Sequence, residues 1–335
     1  MAYSTGSASD LVSIRTALIA ACTSNGWTWD ATNQVLYKGT MFLNITYTAR
    51  RMFFQGRTAL LTGGLTPGST VSIGKSCTDA STTSRQLDMT FPLTYHIFVY
   101  TDEVYLVCNF GTIYYQFATF GQSTVTGLDP SGTGMYVAAS FGYNEYTNSI
   151  SNFKPIEYFN SSGCNSAENV YPSAQGSIIP APFWGSGMDK NTTSGSGYGS
   201  HTNYFVHSNL DGAGWNTTDN NLLHSGASIG IRHLNSLLNA SPNSFNNESV
   251  LFPNRCYKSR PSSKVSLILD LEYSRICRID NYDPGQIITL GADQWMVFPF
   301  FSKDITQRSG NGFGGSPIIT WIAHTGTFGW AIKYN

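Results

Sequence analysis

Hydrolysis of a glycosidic bond needs two carboxyl groups that meet in space, whatever their separation in sequence. Glu103, Glu157, Asp211, Glu272 and Asp293 are the candidates here. Each also has a plainer role. Asp293 stands in "LGADQWMVF", where aspartate suits a turn because its side chain bonds nearby backbone. Glu272 lies near Arg275 and Arg278 and reads as their surface partner. His201, His207 and Asp211 are close enough in sequence to share a metal ion, but their spacing is loose and no thiolate supports them. Solvated loop histidines are the better reading. No H-E-x-x-H, EF-hand loop or Walker A sequence occurs. The fragment "HSGASIG" offers no strand-to-helix context for a serine nucleophile. No catalytic, metal or cofactor residue is assigned, and enzymatic activity is not expected.

Aromatic residues form the other conspicuous set. Tyr114, Tyr115, Phe117 and Phe120 crowd one segment, as a sugar-stacking platform or as filler of a core or an inter-subunit seam. Few acids and amides accompany them to bond sugar hydroxyls, which favours core or seam. With Trp184, Trp321 and Trp330 they are the candidates for an assembly interface.

The elements that carry these residues read mainly as strands. Ser9 to Gly26 is the clear helix: Ser9 as cap, Asp10 in the first turn, Gly26 beyond the end, and an apolar stripe of Leu11, Ile14, Leu18 and Ala21 or Cys22. Strands follow from Val35, Met41, Arg51 and Gln86. Tyr95 to Gly121 reads as a three-stranded antiparallel meander with turns at Thr101-Asp102 and Asn109–Gly111. One face of its first strand carries Tyr95, Ile97 and Val99, and the other carries His96, Phe98 and Tyr100. A half-solvated strand would alternate apolar with polar, so something must cover both faces. The first face is expected to meet the helix and early strands, the second the C-terminal strands or a neighbouring subunit.

The fold class is therefore α+β, mainly β: an N-terminal helix packed on an antiparallel sheet, a loop-rich insertion, then C-terminal antiparallel strands. Residues 1–160 form the first domain, 161–233 a Gly/Ser/Asn-rich arm with apolar islands such as "NYFVH", and 234–335 a β-rich part packed on the first domain. A short helix is expected around Leu234 to Leu238 and loops up to about Lys258. Lys264 to Leu271 and Tyr273 to Asp280 read as separate strands, Tyr282 to Asp304 as a hairpin, and Trp321 to Trp330 as a last hairpin.

Composition narrows the function classes. Charged residues are 12% of the 335, against 41% hydrophobic and 14% aromatic, where ordinary soluble domains carry about 25% charged residues. A surface so poor in charge is expected to be covered in use. The net charge of −1 argues against a nucleic-acid binder. The basic clusters, Arg50-Arg51 and Arg255 to Lys264, read as solvated edges. No apolar run reaches a membrane span, and the first residues lack a basic signal-peptide region. Synthesis in a reducing cytoplasm fits the six scattered cysteines, which are expected as free thiols.

Several phrases carry a resemblance. Thr94 to Gln122 (TYHIFVYTDEVYLVCNFGTIYYQFATFGQ), Asn239 to Pro261 (NASPNSFNNESVLFPNRCYKSRP), Ile279 to Asp304 (IDNYDPGQIITLGADQWMVFPFFSKD) and the terminal GTFGWAIKY resemble virion structural proteins of tailed bacteriophages and related prophages. The matching elements are an aromatic strand ending in Phe-Gly, a Ser-Pro-Asn-x-Phe-Asn phrase, a Pro-Gly turn, a Leu-Gly-x-Asp-x-Trp hairpin and a Phe-Pro pair. The resemblance covers about a third of the chain and leaves 183–233 unmatched. It implies a tail or baseplate component, made in the bacterial host cytoplasm and located in the virion. Its partners would be other virion proteins and copies of itself, with no cofactor, nucleic acid or membrane span. A receptor- or glycan-binding tail module is the alternative, and a glycan hydrolase the third reading.

Overall fold

The structure, a computed structural model, describes residues 1–61, 70–75, 89–144, 154–155, 203–208, 210–212, 250–260, 262, 264–279, 281–299, 303 and 328–335. It is mainly β, with antiparallel sheets and a single short N-terminal helix among the described residues.

The chain opens with β1 (Ala2–Ala8) and α1 (Leu11–Thr23). The helix cap is Asp10, not Ser9: its carboxylate accepts the Ser13 amide at 2.7 Å and the Ser13 hydroxyl at 2.7 Å. Leu11, Ile14, Leu18 and Cys22 are its buried stripe, at the spacing that places side chains on one helical face. Gly26, at φ +85°, turns the chain after the helix in a conformation that glycine adopts without strain.

β2 (Thr28–Asp30), β3 (Val35–Lys38), β4 (Met41–Tyr47), β5 (Arg51–Arg57) and β6 (Thr70–Gly74) pair in sequence order. The meander is β7 (Leu93–Val99), β8 (Glu103–Phe110) and β9 (Tyr114–Gln122), with β1 beside β7. β8 reaches Phe110, so the second turn of the meander falls at Gly111–Ile113, two residues later than the sequence suggested. β10 (Met135–Asn144) joins the two groups: Met135 to Ala139 pair with β9, while Phe141 pairs with Ser72 of β6. β11 (Lys154–Pro155) and β12 (Asn203–Ser208) also pair with β10. Thus the "NYFVH" island of the expected arm enters a sheet as β12, while the other residues of 161–202 and those of 213–233 lie outside the described set.

The C-terminal sheet runs in the order β13 (Phe252–Arg260), β14 (Lys264–Arg278), β17 (Phe328–Lys333), β16 (Asp293–Pro299) and β15 (Ile287–Leu290). Lys264 to Arg278 is one continuous strand rather than two, and 252–260, expected as loop, is its hairpin partner. Pro253 hid β13 from a reading by pattern, yet proline is tolerated there because β13 is an edge strand among the described residues. The expected strand from Gln86 begins outside the described residues, and Met89 to Pro92 are not in a strand. The Leu234–Leu238 helix and the first half of the last hairpin also lie outside.

Among the described residues, two of the three buried clusters hold the layers together. The inner one gathers the α1 stripe, Leu36, Leu43, Ile45, Phe54 and Ile73 of β3 to β6, and Ile97, Val99, Leu106 and Phe120 of the meander. The outer one sets Phe98, Tyr105, Val107, Phe117 and Tyr136 against Leu269, Leu271, Met296, Phe298 and Trp330 of the C-terminal sheet. The meander is therefore a middle layer. Cover on both sides is why β8 and β9 are buried at nearly every position.

Candidate functional site

The aromatic candidates are positioned by this layering. Phe117 points outward and meets Trp330 edge-on, ring centroids 5.4 Å apart at 65°. Tyr115 lies 6.5 Å from Phe298 in the same core. Phe120 points inward and meets the Trp27 ring edge-on at 5.4 Å. Tyr114, partly buried, stacks with Phe110 at 5.9 Å. Phe117, Phe120 and Trp330 are at most 2% exposed within the single chain. The sequence left core and subunit seam open for the meander aromatics; within the single chain these rings are core, because the C-terminal sheet covers one face of the meander and α1 with β3 to β6 covers the other. Trp184 and Trp321 lie outside the described residues.

The described candidate carboxylates sit in different local settings. Asp211 is buried, accepts the Asp129 amide at 3.0 Å and pairs with Arg260 at 2.8 Å. Asp293 begins β16 and pairs with Lys333 at 2.8 Å. Glu272 is exposed. Arg275, its expected partner, donates to the carbonyls of Leu271, Glu272 and Ser274 and lies over the Trp295 ring at 5.2 Å. Glu157 is outside the described set.

Glu103, the first of the five candidate carboxyls, has a setting of its own. It opens β8 just after the Thr101-Asp102 turn and is 2% exposed. Across the layer boundary, β14 bulges: Pro253 of β13 faces Arg275, but Asn254 faces Leu271, so residues 272–274 lack a partner in β13. A bulge of this kind leaves ladder groups unpaired. Glu103 fills the gap. Its Oε1 accepts the Glu272 amide at 2.9 Å and its Oε2 accepts the Tyr105 hydroxyl, with the Tyr273 amide at 3.5 Å. Burial raises its pKa to about 7, partly opposed by the Tyr105 hydroxyl and by the Glu272 and Tyr273 amides. This carboxyl is closed off from any sugar. Its visible work is to join the meander to the C-terminal sheet.

Beside it, Tyr100 stacks on Tyr273 and its hydroxyl donates to the Lys333 carbonyl. His96 lies further along the same contact, with its Nδ1 2.8 Å from the Tyr3 hydroxyl and its ring 5.1 Å from Phe298. Burial lowers the His96 pKa to about 4. Two basic side chains are buried as well. Arg51, read as a solvated edge, is fully buried and donates through Nε to the Lys75 carbonyl at 2.5 Å. Lys303 is buried too, its ammonium donating to the carbonyls of Ile279 and Tyr282.

No metal centre forms among the described residues: no group of three His, Cys, Asp or Glu side chains gathers there. Of the suggested trio, only the Asp211 side chain is described, and it is committed to Arg260. Among the described residues no helix is long and apolar enough to cross a membrane. The signal for Glu103 was an acid inside "DEVYLV", an otherwise apolar strand; the partner that explains it lies 169 residues away.

No family model matches the chain, and no curated protein matches it either.

Proposed function

We propose that the protein is a structural component of a tailed-phage virion, in the tail or baseplate, acting through packing against other virion proteins and copies of itself. The observation that carries this reading is that three of the four described candidate carboxyls are committed to joints within the fold: Glu103 to the β14 bulge, Asp211 to Arg260, and Asp293 to Lys333. A layered β body tied in this way suits a part that bears load. The phrases that resemble phage virion proteins support a place in the tail or baseplate. At one margin, β15 ends the C-terminal sheet among the described residues and leaves Ile287 and Leu290 exposed by 40% and 37%. Apolar edge strands of this kind are natural points of subunit contact.

A receptor- or glycan-binding role is the second reading, and one surface cluster favours it. The Arg15 guanidinium lies 4.9 Å from the Trp29 ring and 5.2 Å from the Tyr47 ring, and Tyr47 is 42% exposed. Aromatic faces beside a fixed cation suit stacking on a sugar.

Antibody labelling of purified phage particles, read in the electron microscope, tests the first reading. Label on the tail or baseplate is the expected result, and particles free of label overturn it. Binding of the purified protein to cell-surface polysaccharide, abolished by Tyr47→Ala, would favour the second.

A further inference from the structure

Arg15 is held on one edge and left open on the other. Its Nε donates to the Ile45 carbonyl at 3.0 Å. Ile45 is fully buried in the inner core, so the core sets the position of this anchor. Two rings lie against the guanidinium, with centroids 4.9 Å (Trp29) and 5.2 Å (Tyr47) from its central carbon. Trp29 is itself packed against the inner core. Tyr47, at the end of β4, is 42% exposed, and so is Val12, the residue three places before Arg15 on the same flank of α1.

What remains of the side chain is the edge that carries Nη1 and Nη2. Among the described residues no hydrogen bond or ion pair takes it up. Neither nitrogen is among the buried atoms that lack a partner, so this edge reaches the surface. The carboxylates nearest in sequence are turned to their own loops. Asp10 accepts the Ser13 amide and hydroxyl, and Asp30 accepts the Asn33 amide at 3.0 Å and its side-chain amide at 2.8 Å. The cluster therefore presents a fixed positive charge with no counter-charge from these two residues, beside an exposed aromatic ring.

We propose that this edge is a subsite for an acidic sugar, whose carboxylate accepts from Nη1 and Nη2 of Arg15 while the sugar ring lies against Tyr47. The assignment rests on the glycan-binding reading of the same cluster and gives it a ligand class. The planar fork of a guanidinium matches a carboxylate through two parallel, charge-assisted hydrogen bonds. One guanidinium also matches the single charge of a carboxylate. Hydroxyls of a neutral sugar could accept the same N–H groups, but they would leave the charge unanswered. The bond to Ile45 and the two rings have already ordered a long side chain, so little of that cost falls on binding.

Calorimetric titration of the full-length protein with trigalacturonate and with its methyl ester tests this, because the two differ at the carboxyl groups alone. The acid is expected to bind, and the ester to bind about tenfold more weakly or worse. High salt should narrow that gap by screening the charge. Arg15→Gln should bring the acid down to the level of the ester, while Tyr47→Ala should weaken both. The acid–ester comparison on the wild type needs no variant, so it decides the matter even where Arg15→Gln fails to fold. Equal binding of acid and ester, lost in Tyr47→Ala, overturns the acidic-sugar subsite and leaves glycan binding standing. A preference for the acid that persists in folded Arg15→Gln overturns it too. Binding of neither form also overturns it, and the polysaccharide test then decides the glycan-binding reading separately.

Discussion

The ring of Tyr100 lies flat on that of Tyr273, with centroids 3.9 Å apart and planes 5° from parallel. This stack ties the end of β7 to the bulged stretch of β14, next to Glu103, and so fastens the middle layer to the C-terminal sheet. Tyr100 is 6% exposed, so Tyr100→Ala should lower the unfolding free energy by about 3 kcal/mol, as for other buried aromatics. Tyr273→Ala should cost less, and a double-mutant cycle in urea should return a coupling of about 1 kcal/mol. A coupling of zero would remove the stack from the stabilising contacts.

Phe117 and Phe120 give a test of core against interface. They point to opposite faces of β9 and each is buried within the single chain. Truncating either to alanine should therefore cost about 3 to 5 kcal/mol, at every protein concentration. A loss that appears only at concentrations where copies associate would return these rings to a subunit seam.

The cap of α1 predicts a contrast between neighbours. Asp10→Ala should lower the thermal midpoint at neutral pH, while Ser9→Ala should leave it nearly unchanged, since Asp10 accepts the Ser13 amide. Hydrogen bonds from the Ser13 hydroxyl and amide lower the Asp10 pKa. A depressed folded value means the contribution is present above the unfolded pKa and is lost as pH falls through the folded one. The gap between the two variants should close below about pH 4. Equal midpoints at pH 7 would return the cap to Ser9.

Cys22, Cys108 and Cys277 are free, buried thiols. Burial raises the pKa of Cys22 and Cys108 well above the ordinary thiol range and pushes Cys277 up to about 12. The thiolate is the reactive form. Iodoacetamide at pH 7.5 should leave all three unmodified in the folded protein and modify all three in urea, as peptide mass spectrometry would read. Modification of Cys108 under native conditions would contradict its place in the inner core.

Local pattern revealed much of this architecture. The α1 stripe, the strands from Val35, Met41 and Arg51, and the meander all announce themselves through helical or alternating spacing and their turn residues. Strands without an apolar rhythm escaped. β1 has Tyr3 as its one large side chain, and β13 carries Pro253, Asn254 and Arg255. Edge strands need only backbone pairing to join a sheet, so their side chains leave a weak trace. β14 was divided in two because Glu272 and Tyr273 break its pattern; the bulge explains the break.

Sequence by itself determined that the strand from Leu93 to Val99 had to be covered twice, since Ile97 and Val99 alternate with His96 and Phe98 and neither set suits water. It could not say by what, because apolar side chains accept any apolar cover. The tertiary structure decided that the chain covers itself, with α1 and β3 to β6 on one side and the C-terminal sheet on the other. It decided the meaning of Glu103 as well. A lone acid in an apolar strand signals only an unmet need, and the amides that meet it become available where β14 bulges, 169 residues further along the chain.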